Sequence, residues 1–209
     1  MTLIIFDFDG TLYDSGHEVW RSINLQKRFV PELAVIKTRK QLRDVYCGNF
    51  YEELCRKNRM PISKGPALAR RMRKCFGRDY NAPIVPGMTQ ALRKLADDNE
   101  LAVISSNFEP AMRRLLRHDR VLKYFAAVSG ADSGKSKTRR IDDMLRKARL
   151  SPKQAVYVTD TTGDVKEARK SGLRVIGVGW GFHSAASLKK AGAFAIVRKP
   201  GQLSKVLHG

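Results

Sequence analysis

Short apolar runs alternate along most of the chain with stripes of helical period. Leu3–Phe6, Leu101–Ile104, Ala126–Val128, Ala155–Val158, Val175–Val178 and Ala195–Val197 are continuous apolar segments, most of them rich in β-branched residues. That texture predicts strands buried on both faces. Between them, Met88, Ala91, Leu92 and Leu95 share one helix face, Met112, Leu115 and Leu116 a second, and Met144, Leu145 and Ala148 a third. Buried strands separated by amphipathic helices predict an α/β fold built on a parallel sheet. Residues 15–82 read differently, with helical stripes and no strand pattern. Leu68, Met72, Cys75 and Phe76 sit at i, i+4, i+7 and i+8, and Trp20 and Ile23 begin a similar stripe. Pro31, Gly48, Pro61, Gly65 and Pro66 divide this segment into about four short helices.

A length of 209 residues with 43% hydrophobic content suits one core with an insertion. No apolar run approaches the roughly 20 residues of a membrane span. The opening MTLIIFDFDG has no basic region before its apolar stretch, so no signal peptide is expected. Cys47, Cys55 and Cys75 form no CxxC pair, which predicts reduced thiols, no disulfide framework and a cytoplasmic location. The unusual quantity is a net charge of +20. Residues 15–82 carry 16 Lys/Arg against 6 Asp/Glu, so half of the surplus lies in a third of the chain. Such a field predicts an anionic partner: nucleic acid, an anionic surface or a phosphorylated substrate. Clusters such as Arg70-Arg71-x-Arg73-Lys74 and Lys37-x-Arg39-Lys40 speak for nucleic acid, but no zinc-finger or RNP motif accompanies them. Nucleic acid is therefore weighed and not favoured.

Ligands of parallel α/β sheets bind at the carboxyl ends of the strands. After Leu3–Phe6 comes Asp7-Phe8-Asp9-Gly10, two carboxylates at i and i+2 with a glycine that lets the chain bend. After Leu101–Ile104 come Ser105, Ser106 and Asn107, short polar groups suited to phosphate oxygens. After Ala155–Val158 come Asp160 and Asp164, and ahead of that strand lie Lys135 and Lys137. Each element alone is commonplace: a turn, a strand exit, a solvated lysine. Together they supply four carboxylates, a hydroxyl pair and a cation at three strand ends, a hard-oxygen set that suits Mg²⁺.

DFDGTLYDS at residues 7–15 resembles the first motif of the haloacid dehalogenase (HAD) superfamily in its phosphatase form. Ser105 ending a strand, then Lys135, then Asp160 and Asp164 are similar to the remaining motifs in order. Ser105 is preferred to Ser106 because it directly follows the apolar run. Lys135 is preferred to Lys137 by its distance to Asp160 and Pro152, a spacing similar to that of phosphoglycolate phosphatases, although those often carry Lys-Pro where this chain has Lys135-Ser136. The resemblance implies a Rossmann-like parallel sheet with helices on both faces (residues 1–14 and 83–209) and a small α-helical cap inserted at 15–82.

The resemblance also implies a chemistry. Asp7 would be the nucleophile that forms an aspartyl-phosphate, and Asp9 the acid and then the base. Ser105, Ser106, Asn107 and Lys135 would bind phosphate. Mg²⁺ would be held by Asp7, Asp160 and the backbone carbonyl of Asp9, with Asp164 nearby. The second Asp of the motif argues against dehalogenation, because the dehalogenase branch lacks it. The expected function is a Mg²⁺-dependent phosphomonoesterase acting on a small phosphorylated metabolite, such as phosphoglycolate. A phosphomutase of the same superfamily and a basic nucleic-acid-associated phosphatase or binding protein are the alternatives. Trp20, Arg43, Tyr46 and Tyr51 either line the entrance to the site or pack. Oligomeric state is not legible.

Overall fold

The computed structural model describes residues 1–75 and 80–208, without the side chains of 73–75 and 208. Six strands, β1 (Leu3–Phe6), β2 (Glu100–Ile104), β3 (Phe125–Ser129), β4 (Ala155–Thr159), β5 (Arg174–Val178) and β6 (Ala195–Val197), form one sheet in the order β3-β2-β1-β4-β5-β6. Every pairing is parallel. The order reverses on either side of β1, so a crevice opens between the carboxyl ends of β1 and β4. All six expected strands form, two with the expected bounds and four longer by one or two residues.

The alternation of side chains along β1 divides the core into two layers. Ile4 and Phe6 pack with α5 (Met88–Ala96), α6 (Glu109–His118) and α10 (Gln202–His208) on one face. Leu3 and Ile5 pack with α7 (Lys137–Ala148), α8 (Thr162–Lys170) and α9 (Ala185–Ala191) on the other. The expected faces of α5 and α6 are buried throughout. The face of α7 is not the expected one: Met144 and Ala148 are half-buried, and the buried stripe is Lys137, Arg140, Ile141 and Leu145.

Between β1 and α5 the described residues form four helices, α1 (Gly16–Gln26), α2 (Arg39–Val45), α3 (Phe50–Lys57) and α4 (Gly65–Cys75), with two 3-10 turns. Asn49 caps α3 by accepting from the Tyr51 and Glu52 N–H groups, and Thr38 and Gln41 form a capping box on α2. Leu68 and Met72 are buried as expected; the Cys75 side chain and Phe76, with Arg73 and Lys74 of the basic cluster, lie outside the described residues. The segment leaves and rejoins the sheet through a neck. Asp14 N–H donates to the Pro83 carbonyl and Val85 N–H to that of Leu12, both at 2.9 Å, and Tyr13 pairs antiparallel with Ile84. Among the described residues no helix is long and apolar enough to cross a membrane.

Candidate active site

Asp7 stands directly past β1, its N–H continuing the sheet by donating to the Val158 carbonyl at 2.9 Å. The chain then bends at Gly10, whose φ is 73°. A Cβ there would come within 2.2 Å of Asp160 Oδ2, so glycine is required both for the left-handed turn and for the close approach of the two loops. The buried Lys137 ammonium lies 2.6 Å from Asp164 Oδ1 and 3.4 Å from Asp7 Oδ1. Burial pushes the Asp7 carboxyl well above its ordinary range; Lys137 opposes that shift, while Asp164 and Asp160 add to it. At Asp164 burial is the largest effect and also works upward, but the attraction of the ammonium and hydrogen bonds with Asp7, Lys137 and Thr159 together outweigh it and hold this carboxyl low. Lys137 is held firmly protonated, since Asp164 and Asp7 outweigh its own loss of solvent.

Asp9 has a different environment. The Tyr80 hydroxyl donates to Oδ1 and the Asn107 amide to Oδ2 at 2.9 Å. Burial raises its pKa, and these donors, with Ser15, pull against the rise. Two carboxyls two residues apart are thus prepared in separate ways, Asp7 by an ammonium and Asp9 by neutral donors.

Asp160 accepts from the Thr11 hydroxyl at 3.0 Å and from the Phe182 N–H at 2.7 Å. It is fully buried, and desolvation pushes it up to about 7. Among the described residues no three acidic, imidazole or thiol side chains are drawn into a finished metal cage. The fit to a cation lies in charge and donor type. The Lys137 ammonium meets two carboxylates, Asp7 and Asp164, and Asp7 and Asp160 are left with raised pKa values that a hard divalent cation would reverse.

The structure places the two candidate lysines differently, and it is Lys137, not the preferred Lys135, that stands among the carboxylates. Lys135 lies in the turn before α7, exposed, and reaches away to Asp143 at 2.6 Å. Lys137 opens the helix and points inward, because Ser136 caps α7 and puts Lys137 on the buried stripe with Ile141 and Leu145. Ser105 is buried, its hydroxyl accepting from the Asn107 N–H at 3.1 Å, and it lines the same cavity as Asp7. Ser106 also lines this cavity. Asn107 is turned differently from expectation: its amide holds Asp9. Three further groups carried little sequence signal. Tyr80 and Thr11 are the donors described above. Arg140, one turn after Lys137, donates from Nη1 to the carbonyls of Ser105 and Ser129, both at 2.8 Å, and so ties together the ends of β2 and β3.

The helical segment closes over these groups. The Gly163 N–H donates to the Tyr46 carbonyl at 3.0 Å, and a Cβ on Gly163 would lie 2.5 Å from that oxygen. His183 joins both parts: Nδ1 accepts from the Thr162 N–H at 2.9 Å, so Nε2 carries the proton toward the Arg43 carbonyl 3.1 Å away. Burial holds this imidazole below its usual pKa. Tyr46 stacks on Phe182 at 5.1 Å, and both Tyr46 and Tyr51 line the cavity. Trp20 packs against the core instead, and Arg43 contributes its carbonyl. The enclosed space is about 50 Å³. One water needs roughly 10–15 Å³ by this measure, so the space matches a group the size of phosphate.

Residues 4–178 match the model of the haloacid dehalogenase-like hydrolase family. The chain belongs to that family. Within it, a phosphoglycolate phosphatase of Synechococcus elongatus is 28% identical over 208 residues, covering 97% of this chain and 95% of the relative. The tyrosine-protein kinase PtkA of Mycobacterium tuberculosis is 29% identical over 198 residues, covering 90% of this chain, which spans 65% of that relative's length. The crystal structure of a predicted phosphatase from Clostridium acetobutylicum has a TM-score of 0.82 at 24% identity, covering 100% of this chain and 99% of that one. This HAD-family chain is accordingly built on a Rossmann-like sheet.

Proposed function

We propose that this protein is a phosphomonoesterase that works through an aspartyl-phosphate, with residues 15–82 acting as the cap and residues 1–14 and 83–209 as the core. The observation that carries the reading is the pair of differently prepared carboxyls, Asp7 and Asp9, at the reversal point of the sheet, in a cavity of about 50 Å³.

An oxygen of the Asp7 carboxylate attacks phosphorus, and the bond to the leaving oxygen breaks. Asp9, whose raised pKa favours its protonated form, gives its proton to that oxygen. The resulting Asp9 carboxylate then takes a proton from water, which attacks the same phosphorus and breaks its bond to Asp7. Tyr80 and Asn107 hold Asp9 in place for both steps. Lys137 and Ser105, together with backbone N–H groups past Asp7, stabilise charge on the phosphoryl oxygens. Arg140 positions Ser105 through its carbonyl. Asp7, Asp160 and the carbonyl of Asp9, with Asp164 nearby, would hold Mg²⁺, which supplies Lewis-acid neutralisation between nucleophile and phosphate. The closed segment excludes bulk water. The site dimensions and the Synechococcus relative support a small phosphorylated metabolite as substrate, phosphoglycolate among them.

Hydrolysis of p-nitrophenyl phosphate, with Mg²⁺ and with EDTA, tests the reading. Turnover is expected in Mg²⁺, loss of turnover in EDTA, and loss in both Asp7→Asn and Asp9→Asn. Activity that survives Asp7→Asn removes the nucleophile assignment.

A further inference from the structure

Outside the helical segment, positive charge is concentrated in two stretches. Residues 144–159 hold four Lys/Arg and no Asp/Glu, and residues 168–209 hold eight and none. The fold draws most of these cations to one place. α7, α8 and α9 lead in turn to β4, β5 and β6. The strands are all parallel, and the carboxylates follow their carboxyl ends. The three helices therefore finish at the amino ends, the opposite pole from Asp7. α7 ends in Lys147 and Arg149, with Lys153 in the turn beyond. α8 ends in Arg169 and Lys170, and Arg174 opens β5. Lys189 and Lys190 stand in the last turn of α9. All eight residues are exposed.

The three turns touch, so the cations form one surface. A Cβ on Gly172, after α8, would stand 3.2 Å from the ring of Pro152, after α7. Arg169 Nη1 donates to the Ala191 carbonyl, at the end of α9, at 3.5 Å. Lys189 Nζ donates to the Phe194 carbonyl at 3.0 Å, and the Arg174 guanidinium lies 4.1 Å from the centre of the Phe194 ring. Among the described residues none of the eight is paired with a carboxylate. The acids of the same helices are engaged elsewhere: Asp143 with Lys135 and Arg146, Asp164 with Lys137, and Glu167 with Asn49. Asp142, at mid-helix in α7, is the one exposed acid on them. A helix carboxyl end carries about half a negative charge, so the three ends offset only about 1.5 of the eight positive charges.

This pole also lacks an apolar centre. The large apolar residues that are exposed among the described ones, Met1, Leu25, Phe29 and Ile62, all lie outside these turns. A membrane surface calls for an inserted apolar face, and a protein interface for an apolar core. Neither is offered here. Neighbouring helices about 8–10 Å apart spread the cations over roughly 20 Å. A duplex of that length presents about ten phosphates, one per ~1.7 Å of axis.

We propose that this pole binds the phosphate backbone of nucleic acid without reading its sequence. It is a different surface from the basic clusters of the helical segment, where Arg71 is already paired with Glu32. The proposal goes beyond the phosphatase reading and does not depend on it.

The test is fluorescence anisotropy of a labelled DNA duplex of about 20 base pairs, titrated with the full chain between roughly 50 and 200 mM salt. Each phosphate contact adds about 0.9 to the fall of log affinity with log salt, so a slope of about −4 to −7 is expected. Lys147→Gln, Lys153→Gln, Lys170→Gln and Lys190→Gln together should flatten that slope by about 2–4 and weaken binding at least roughly tenfold. Lys37→Gln, Lys40→Gln, Lys57→Gln and Lys64→Gln remove the same charge from the helical segment and should change affinity by less than about twofold. Both variants should keep a cooperative melt, since every substituted side chain is exposed. Absence of duplex binding overturns the proposal, as does a flat slope or a first variant that binds like wild type. An equal loss in the second variant also overturns it, since bulk charge alone would then be acting. Retention on phosphatidylcholine–phosphatidylserine vesicles without duplex binding overturns it in favour of a membrane.

Discussion

Replacing Lys137 by Met removes the ammonium between two buried carboxylates and keeps most of the side-chain volume. Lys137 is 3% exposed, with Nζ at 2.6 Å from Asp164 and 3.4 Å from Asp7. Deleting one member of a buried ion pair costs about 3–5 kcal/mol, because the remaining charge is left without compensation. At about 2–4 °C per kcal/mol for a chain of this size, the melting midpoint should fall by roughly 6–20 °C near neutral pH. The loss should shrink at acid pH. Both carboxylates lack their counter-charge in the variant, so their pKa values rise, and protonation relieves the strain as pH falls toward the carboxylate range. In the wild type Lys137 has a raised pKa when folded, so its contribution is present throughout that window and is lost only in strong alkali. Lys135→Met is the control, since it removes only an exposed contact with Asp143, and no change in midpoint or turnover is expected. Thermal melts at pH 5 and pH 8, with aryl phosphate turnover alongside, decide the matter. A Lys137→Met chain as stable and active as wild type, or a Lys135→Met chain with lost turnover, would refute the placement of the cation.

Other outcomes follow from the same geometry. Asp160 is pushed up to about 7, so between about pH 4 and 7 the folded chain holds a proton that the unfolded chain has released, and metal-free stability falls as pH rises. The full penalty is on the order of 4 kcal/mol, and Mg²⁺ should recover much of it at pH 8; melts that are identical with and without the ion would contradict the carboxylate–cation reading. Tyr80→Phe removes a donor that lowers the Asp9 pKa, so the alkaline limb of the kcat/KM profile, where the acid loses its proton, should move to higher pH, and an unmoved limb counts against Asp9 as the titrating group. Gly163→Ala would place a methyl 2.5 Å from the Tyr46 carbonyl; the expected cost is about 1–3 kcal/mol, with faster hydrogen exchange at the Gly163 amide, and an unchanged exchange rate would show that this contact does not hold the segment closed.

The strands were legible because continuous apolar, mostly β-branched runs have few ways to be buried, and a parallel sheet is one of them. The carboxylates were legible because each lies within six residues of the end of such a run. Lys137 was harder. A lysine at the start of a helix is usually solvated, and its alignment with Ile141 and Leu145 at i, i+4 and i+8 signals burial only when charged residues are allowed on the apolar stripe. Arg140 was hidden for the same reason. Tyr80 lies 71 residues from Asp9 in a stretch with no periodic pattern, so only tertiary structure brings them together. Asn107 was found as a residue but its bond to Asp9 was not, because composition after a strand says nothing about which way an amide turns.

The neck has a consequence for how this chain can change. Its two strands of passage are hydrogen-bonded to each other at Asp14 with Pro83 and Leu12 with Val85, so the ends of the helical segment already lie within one ladder spacing, about 4.5–5.5 Å between paired Cα atoms. Chain closure is therefore achieved by the sheet side, whatever lies between. Lengthening a flexible connection there costs only about 0.6 kcal/mol for each doubling. The sheet with its four carboxylates can keep its form while the helices above it are exchanged for others, so reaction and selectivity can diverge at separate rates.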